Sequence, residues 1–546
     1  MRMRRLVVLL FALGIFAPAE LVRAQSRVLS DAARAAADRI SAEQLAWDVA
    51  RLSSDDLRGR NTPSPGFDAA ADYIIERLTR AGLRPAGDSG TFRQHYDLDE
   101  TRLDASRATL TIGDRRFDVG RDVAMRTLGI PRSGTFPVVY VGHGWTVPDR
   151  GIDSFAGVDV KGALVLAHGP RVIPAGVSIS QVGRVTVNAR PVIDEAARRG
   201  AVGVLFITQA SELLRWDDLR SGGQTRREMV PNVPSAYATP EMPSLLLSPD
   251  VTRALLTDES LDGQAALQAP EGGPYRAAFR LKKSVTLALP LAQSTRLRPF
   301  NVVARLEGTD PALRAEVVTV AAHLDGAVGT REVAGDAIYN AADDNASGSA
   351  GLLSVAEQMA AAPPKRTVIF VWDSGEEQGL WGIRQFVNSP PVPRSAIVAH
   401  VNVDMIGSSR PDTASPPEGI KGVTRRGEVY MLGPTVLSRA ADALVTQANA
   451  EYPGLQINRS FDRVDSEFFY PRTDAGPFLE RGLLPVGFNT GTHERYHLPS
   501  DEARHLDPLQ MQQVSRLVFS VAWAIANAPT RVGIDQPMPA SVPRHP

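Results

Sequence analysis

Four short apolar runs in the second half of the chain each break off at ionisable residues, and this limits the fold more than any other feature. Val317-Val318-Thr319-Val320-Ala321-Ala322 ends in His323-Leu324-Asp325, and Thr367-Val368-Ile369-Phe370-Val371-Trp372 ends in Asp373-Ser374-Gly375-Glu376-Glu377. Residues 396–403 run into Asp404-Met405-Ile406-Gly407, and 483–488 lead to Thr492-His493-Glu494-Arg495-Tyr496-His497. Continuous apolar runs of this length, rich in β-branched residues, are strands buried on both faces, and such strands occur in largely parallel sheets covered by helices. Helical stretches at 349–361 and from Asp507, with Pro508 as first residue, to about Asn527 complete the pattern. The expected class is α/β, with a central mixed, largely parallel sheet flanked by helices. In open sheets of this kind ligands bind beyond the carboxyl ends of the strands.

At 546 residues the chain is expected to hold more than one domain. The stretch 30–83 reads as helical, with Gly82 as a stop, and strand-like sequence begins at Ala108-Thr109-Leu110-Thr111-Ile112. From 131 to 285 short β-like runs (136–141, 163–167, 202–207) alternate with Gly, Pro and Ser loops, and one helix-like run covers 191–199. The expected division is a signal segment at 1–24, a first part of the main α/β domain at 25–130, a β-rich insert at 131–285, the second part of that domain at 286–528 and a disordered Pro-rich tail at 529–546.

Lys+Arg 60 against Asp+Glu 61 leaves a net charge of -1, which supplies no long-range field for nucleic acid or an anionic membrane. The first residues, Met1-Arg2-Met3-Arg4-Arg5, precede an apolar run at 6–17 and then Val22-Arg23-Ala24. A basic start, an apolar stretch short of the roughly 20 residues of a spanning helix, and small residues at the cleavage positions form the pattern of a secretory signal cut after Ala24. Export to the periplasm or the medium is therefore expected, with no membrane anchor after cleavage. With no cysteine, the mature chain has neither crosslinks nor thiolate ligands, so any metal must sit on histidine and carboxylate, the ligand set of catalytic zinc.

Each polar residue at those strand ends has an ordinary explanation when taken singly. Asn340-Ala341-Ala342-Asp343-Asp344-Asn345-Ala346-Ser347-Gly348 can be a helix cap, Glu376-Glu377 a solvated pair, and His323 a satisfied core histidine. Taken together, His323, Asp344, Glu377, Asp404 and His497 suit a pair of zinc ions sharing one carboxylate, with Glu376 free to handle protons. Asp325, two residues beyond His323, is placed to orient that imidazole by accepting its second N–H.

These stretches resemble the co-catalytic two-zinc aminopeptidases, a family that includes the transferrin receptor and glutamate carboxypeptidase folds. The matching segments are Ala322-His323-Leu324-Asp325, Ala342-Asp343-Asp344-Asn345-Ala346-Ser347-Gly348, 372–379, Asn402-Val403-Asp404-Met405-Ile406-Gly407 and Tyr496-His497-Leu498-Pro499-Ser500-Asp501. The resemblance implies the zinc-dependent exopeptidase fold and two Zn2+ ions per chain. Asp344 would bridge them, with Glu377 and His497 completing one site, His323 and Asp404 the other, and Glu376 as general base acting on peptide substrates. Leu52-Ser53-Ser54-Asp55-Asp56-Leu57-Arg58-Gly59-Arg60 is similar to the amino-terminal lead-in of bacterial members. Val158-Asp159-Val160-Lys161-Gly162 and Gly200-Ala201-Val202-Gly203-Val204 resemble a protease-associated domain, which in relatives flanks the substrate cleft. Two departures stand out: Thr473-Asp474-Ala475 where many relatives have Ser-Asp-His, and Gly382-Ile383 where they tend to have Gly-Ser.

His493-Glu494-Arg495-Tyr496-His497 also spells the helical zinc motif of a different peptidase class. Gly491 before it, Pro499 after it and the absence of apolar residues at helical spacing argue against the helix that this motif requires. Other readings of the same fold remain open: a carboxypeptidase or dipeptidase, a single-zinc glutaminyl cyclase, or an inactive binding protein.

Overall fold

The structure is a computed structural model, and it describes residues 27–170, 172–175, 177, 189–221, 226–230, 242–326, 329, 332–411, 422–464, 466, 472–539 and 542. The expected signal segment, 1–24, lies outside the described residues.

The chain starts with helices α1 (Asp31–Asp38), α2 (Ala42–Leu52) and α3 (Pro65–Arg80). Each is preceded by a serine, Ser30, Ser41 or Ser64, whose hydroxyl accepts the backbone N–H three residues on, satisfying a donor that the helix itself cannot. Ala33, Ala36, Leu45, Val49, Phe67 and Ile74 bury the apolar faces of these helices in the largest core of the molecule.

The inserted unit follows. Strands β1 (Thr109–Ile112), β2 (Arg115–Asp118), β3 (Val123–Thr127), β4 (Gly134–Tyr140), β5 (Leu164–His168), β6 (Gly203–Ile207), β7 (Ser244–Leu247) and β8 (Phe279–Ala288) form one sheet in the order β2-β1-β8-β4-β5-β6-β7-β3. Strands β4 to β7 run parallel. Alternate side chains enter two cores, Leu164 and Leu166 on one face, Val165 and Ala167 on the other. Helices α4 (Val192–Arg198) and α5 (Pro249–Leu256) cover opposite faces.

The boundaries 131 and 285 are corrected by the pairing. Leu110 and Thr111 lie opposite Leu287 and Thr286, so the strands before 131 satisfy their backbone groups inside the insert and its last strand extends past 285. A small sheet of Leu98–Arg102, Arg226–Met229 and Thr295–Leu297 joins the connecting segments to a loop of the insert.

The second sheet is built from β9 (Phe300–Leu306), β10 (Val317–His323), β11 (Thr367–Asp373), β12 (Ile397–Val403), β13 (Glu428–Leu432) and β14 (Leu484–Asn489), in the order β9-β11-β10-β12-β14-β13. Short strands Arg84–Pro85 and Arg93–His95 pair with β9, and Gln456–Asn458 with β13. Strands β10, β11, β12 and β14 are parallel, while β9 is antiparallel to β11 and β13 to β14, giving the expected mixed, largely parallel sheet. Val318, Val320 and Ala322 face α6 (Gly348–Ala361) and α8 (Pro508–Asn527), and Val317 and Ala321 face α7 (Trp381–Asn388). The chain leaves β10 through α6 to reach β11 on one side, then crosses through α7 to β12 on the other. The two crossovers diverge and open a crevice at the carboxyl ends of β10 and β12.

Helix α8 has the expected bounds, with the Asp507 carboxylate accepting from the N–H groups of Leu509 and Gln510. The tail is another correction. Residues 529–546 were expected to be disordered, yet among those described Val532 is buried, Ile534 and Met538 pack on the main core, and the Asp535 carboxylate accepts from the Arg439 and Ala440 N–H groups. Apolar residues spaced between the prolines give this segment something to bury. Among the described residues no helix is long and apolar enough to cross a membrane.

Candidate metal centre

The crevice holds two groups of side chains whose potential ligand atoms lie within 4.8 Å of one another, His323 with Asp344 and Asp404, and Asp344 with Glu377 and His497. Asp344 belongs to both. Its Oδ1 is 3.3 Å from His323 Nε2 and its Oδ2 is 3.0 Å from His497 Nε2. His323 Nε2 is also 3.4 Å from Asp404 Oδ1, and His497 Nε2 is 3.1 Å from Glu377 Oε2. All five residues read as ligands from the sequence therefore converge, and they come from five separate segments. The His323 side chain is 1% exposed and that of His497 40%, so one end of the centre is sealed in the fold and the other opens to solvent.

The local backbone explains why Asp344 reaches both groups. Residues 342–347 make a wide π-type turn ahead of α6, entered through Ala341 in the left-handed region at φ 50. The Asp501 carboxylate accepts from the N–H groups of Asp343 (3.0 Å) and Asp344 (3.2 Å) and pins this turn. Asp343 in turn accepts from Gly407 N–H (2.7 Å) and the Ser347 hydroxyl (2.9 Å), tying the turn to the loop after β12 that carries Asp404.

Electrostatically the crevice draws positive charge. Burial opposes protonation of His323, but hydrogen bonds to Asp344 and Asp404 outweigh it and hold the imidazole well above its ordinary value. For His497 the same contest, won by Asp344 and Glu377, ends at about 10. Burial also opposes ionisation of Asp344, yet its hydrogen bonds from both histidines keep its carboxyl below the usual range. Burial and the adjacent Asp344 charge push Glu377 up to about 7, and burial pushes Glu376 well above the usual carboxylate range. The buried Glu377 Oε1 has no hydrogen-bond partner, and Asp404 Oδ1 has none beyond the 3.4 Å approach of His323 Nε2. Two imidazoles, three carboxylates and an unpartnered buried oxygen around a shared aspartate fit a pair of zinc ions, and no thiolate competes for the assignment.

Asp325 acts differently from the sequence expectation. His323 Nδ1 lies 3.1 Å from the Asp325 backbone carbonyl, whereas the carboxylate is 3.9 Å away. That carboxylate accepts instead from the N–H groups of Glu376 (3.2 Å) and Glu377 (3.4 Å). The chain turns back on itself directly after β10, so the carbonyl reaches the ring first and the side chain is left to hold the glutamate loop. Glu376, the expected base, sits partly exposed on this loop beside Glu377.

The second histidine motif resolves as expected. His493 lies outside both ligand groups, with Nε2 3.3 Å from Asp343 and its Nδ1 accepting the Arg495 N–H. It supports the turn that carries Asp344. The two departures from the family pattern also find places. Ile383 fills the core beneath α7, while a Cβ at Gly382 would stand 2.1 Å from Asn301 Oδ1. Asp474 is fully buried near Asp373, burial pushing both above their ordinary values, Asp373 to about 8. Asp343, Asp373, Asp474, Asp501 and Arg60 were not assigned roles from the sequence, although Asp343, Asp373 and Asp501 stand within the motifs that carry the ligands.

Residues 301–522 match the model of peptidase family M28. Over 366 residues the chain is 26% identical to an aminopeptidase from Pseudomonas aeruginosa strain UCBPP-PA14, covering 66% of this chain and 56% of that protein, so it spans little more than half that relative's length. The fold is similar to that of an aminopeptidase from Aneurinibacillus sp. strain AM-1, with a TM-score of 0.54 at 18% identity over 94% of this chain and 100% of the other. It is also similar to a zinc aminopeptidase from Bacillus subtilis, with a TM-score of 0.51 at 17% identity over 92% and 99%. These likenesses concern the fold, and they run through the insert as well as the ligand-bearing sheet. The match to the M28 model spans every segment that delivers a ligand, and within it the two histidine–carboxylate groups meet at Asp344.

Proposed function

We propose that the chain is an exported zinc aminopeptidase that hydrolyses the amino-terminal peptide bond of peptides. The observation that carries this reading is the sharing of Asp344 between two ligand groups, with Glu376 on the adjoining loop. His323 and Asp404 would hold one ion, Glu377 and His497 the other, and Asp344 both. Zinc bound in this way supplies Lewis acidity, which acidifies water and polarises a carbonyl.

Glu376 takes the proton of the attacking water and returns it to the departing amine, a role suited to a carboxyl that burial makes more basic than usual. Asp325 keeps Glu376 at its post through the backbone of the loop. Val230 of the insert packs with Tyr96, Leu98 and Trp381, and Trp381 lies against Gly375 at the root of the same loop. This supports a protease-associated role in which the insert flanks the substrate cleft. Export rests on the signal-like residues 1–24.

The test follows chromophore release from a panel of aminoacyl anilides, with and without a zinc chelator. Chelator-sensitive cleavage of free-amine substrates, and none of their acetylated forms, is the expected result. Zinc-loaded protein that is inert across the panel would favour a carboxypeptidase, a dipeptidase or a binding protein.

A further inference from the structure

Behind the ligand groups lies a buried cation that the proposed reaction does not use. The Arg60 side chain is among the largest fully buried ones in the molecule. Its Nε donates to the Leu324 carbonyl (2.8 Å), Nη1 to those of Leu52 (2.6 Å) and Asn340 (2.8 Å), and Nη2 to that of Ala341 (2.9 Å). Three of these four carbonyls flank ligand-bearing segments. Leu324 directly follows His323, and Asn340-Ala341 leads into the turn that presents Asp344. One planar guanidinium thus spans the end of β10, the entry to the Asp344 turn and the end of α2.

The backbone on both sides is bent to allow this. Arg58, Gly59 and Arg60 are successive left-handed residues (φ 48, 78 and 55), and Ala341 is left-handed as well. A side chain at Gly59 would stand 2.4 Å from the Tyr339 carbonyl, and one at Gly326 would stand 2.5 Å from the Gly59 carbonyl and 2.7 Å from Ala341 Cβ. The three segments are therefore in direct contact around the guanidinium. A buried cation satisfied only by carbonyls is a poor device for stability, since desolvation offsets much of what its hydrogen bonds contribute. The fork of Arg is what the arrangement needs, because an ammonium cannot reach carbonyls on three segments at once.

We propose that Arg60 is a positioning residue of the metal centre, holding the backbone that delivers His323 and the shared Asp344 at the separation two zinc ions require. The charges of Asp325, Asp501, Asp344 and Glu377 lie close enough to favour its cationic form, against the effect of burial. The inference rests on the two-zinc reading above and extends it to a residue some 260 positions away from the first ligand in the chain.

The experiment uses the full chain and the variants Arg60→Lys and Arg60→Met, with Val49→Ala, a core truncation on α2, as a control for general loss of stability. Zinc per chain is measured after equilibrium dialysis against graded free zinc, and the visible spectrum is recorded after loading with cobalt(II). The expected result is two zinc ions on the parent and on Val49→Ala, at least tenfold weaker zinc retention in both Arg60 variants, and an altered cobalt spectrum. Arg60 variants that match the parent in both readouts, even if they melt earlier, overturn the proposal, as does a Val49→Ala control that loses zinc equally. A parent that holds no zinc overturns the metal reading itself and this role with it. Should neither Arg60 variant fold, Gly59→Ala, which displaces the same contact without removing the charge, is judged by the same two readouts.

Discussion

Both large sheets of this protein send histidines past the carboxyl ends of parallel strands, but they treat those imidazoles in opposite ways. In the ligand-bearing sheet, His323 ends β10 and is raised by hydrogen bonds to Asp344 and Asp404 that outweigh its burial. In the insert, His168 ends β5, and His143 lies three residues beyond β4. His168 meets the Tyr140 hydroxyl at 2.9 Å and stacks on Tyr275, while the His143 Nδ1 accepts the Trp145 N–H and faces the Ser154 hydroxyl at 2.8 Å. With neutral partners burial prevails, and both are lowered to about 4. A histidine at a strand end is thus no site by itself. Carboxylates brought from other segments make it one.

The largest effects should separate the two sheets outright. Asp344→Ala removes the ligand common to both groups, so zinc should fall from two ions to fewer than one per chain and turnover by roughly a thousandfold or more. His168→Gln should leave zinc content unchanged and turnover within about twofold of the parent. If His168→Gln also stripped zinc, the insert's strand ends would belong to the metal centre and the contrast would collapse. Next in size is Glu376→Gln, which keeps a neutral side chain on the loop. It should retain zinc yet lose roughly a hundredfold or more in turnover. Near-normal turnover in that variant would move the base to another residue.

The sequence exposes one half of this contrast more readily than the other. Buried parallel strands appear as unbroken apolar runs, and their carboxyl ends are marked by where the runs stop, so His323, Glu377 and Asp404 could be read off directly. Asp344 and His497 lie on turns, and their membership rested on the ligand set taken as a whole and on motif resemblance. Which atom of Asp325 meets His323 depends on how the chain turns after β10, and no spacing rule encodes that. Arg60 was quoted within its motif, but its partners are backbone carbonyls, which leave no trace in residue identity. The extent of the insert was misjudged for a similar reason. Strands β1 to β3 are short, and only their pairing, β1 with β2 and β8 and β3 with β7, shows which sheet they join.

Acid should act on the insert through those neutral histidines. Their folded values, about 4, lie below the ordinary 6.5, so the unfolded chain binds more protons between these limits. Their contribution to stability is complete above about pH 6.5 and is lost as the pH falls toward 4. For His168, 1% exposed, that loss is on the order of 3 kcal/mol. Hydrogen exchange of β5 and β6 amides, followed from pH 7 to 4.5, should accelerate beyond the intrinsic pH trend, and His168→Gln should flatten that dependence. An unchanged dependence in the variant would mean that other groups govern the acid response.

The smallest effect asks whether the two sheets are energetically separate at all. Helix α5 is capped by Ser248, whose hydroxyl accepts the Val251 N–H at 3.4 Å, and it buries Val251, Ala254 and Leu255 in the insert's own core. Ser248→Ala removes the cap and should lower stability by about 1 kcal/mol, at the weaker end of such caps because the hydrogen bond is long. If the units open independently, exchange should quicken in β5, β6 and β7 but not in β10 and β11, and kcat/KM should stay within about twofold of the parent. Equal acceleration in both sheets would mean that the contacts of Val230 and Trp381 bind them into one cooperative unit. The insert would then stabilise the loop that carries Glu376 and Glu377.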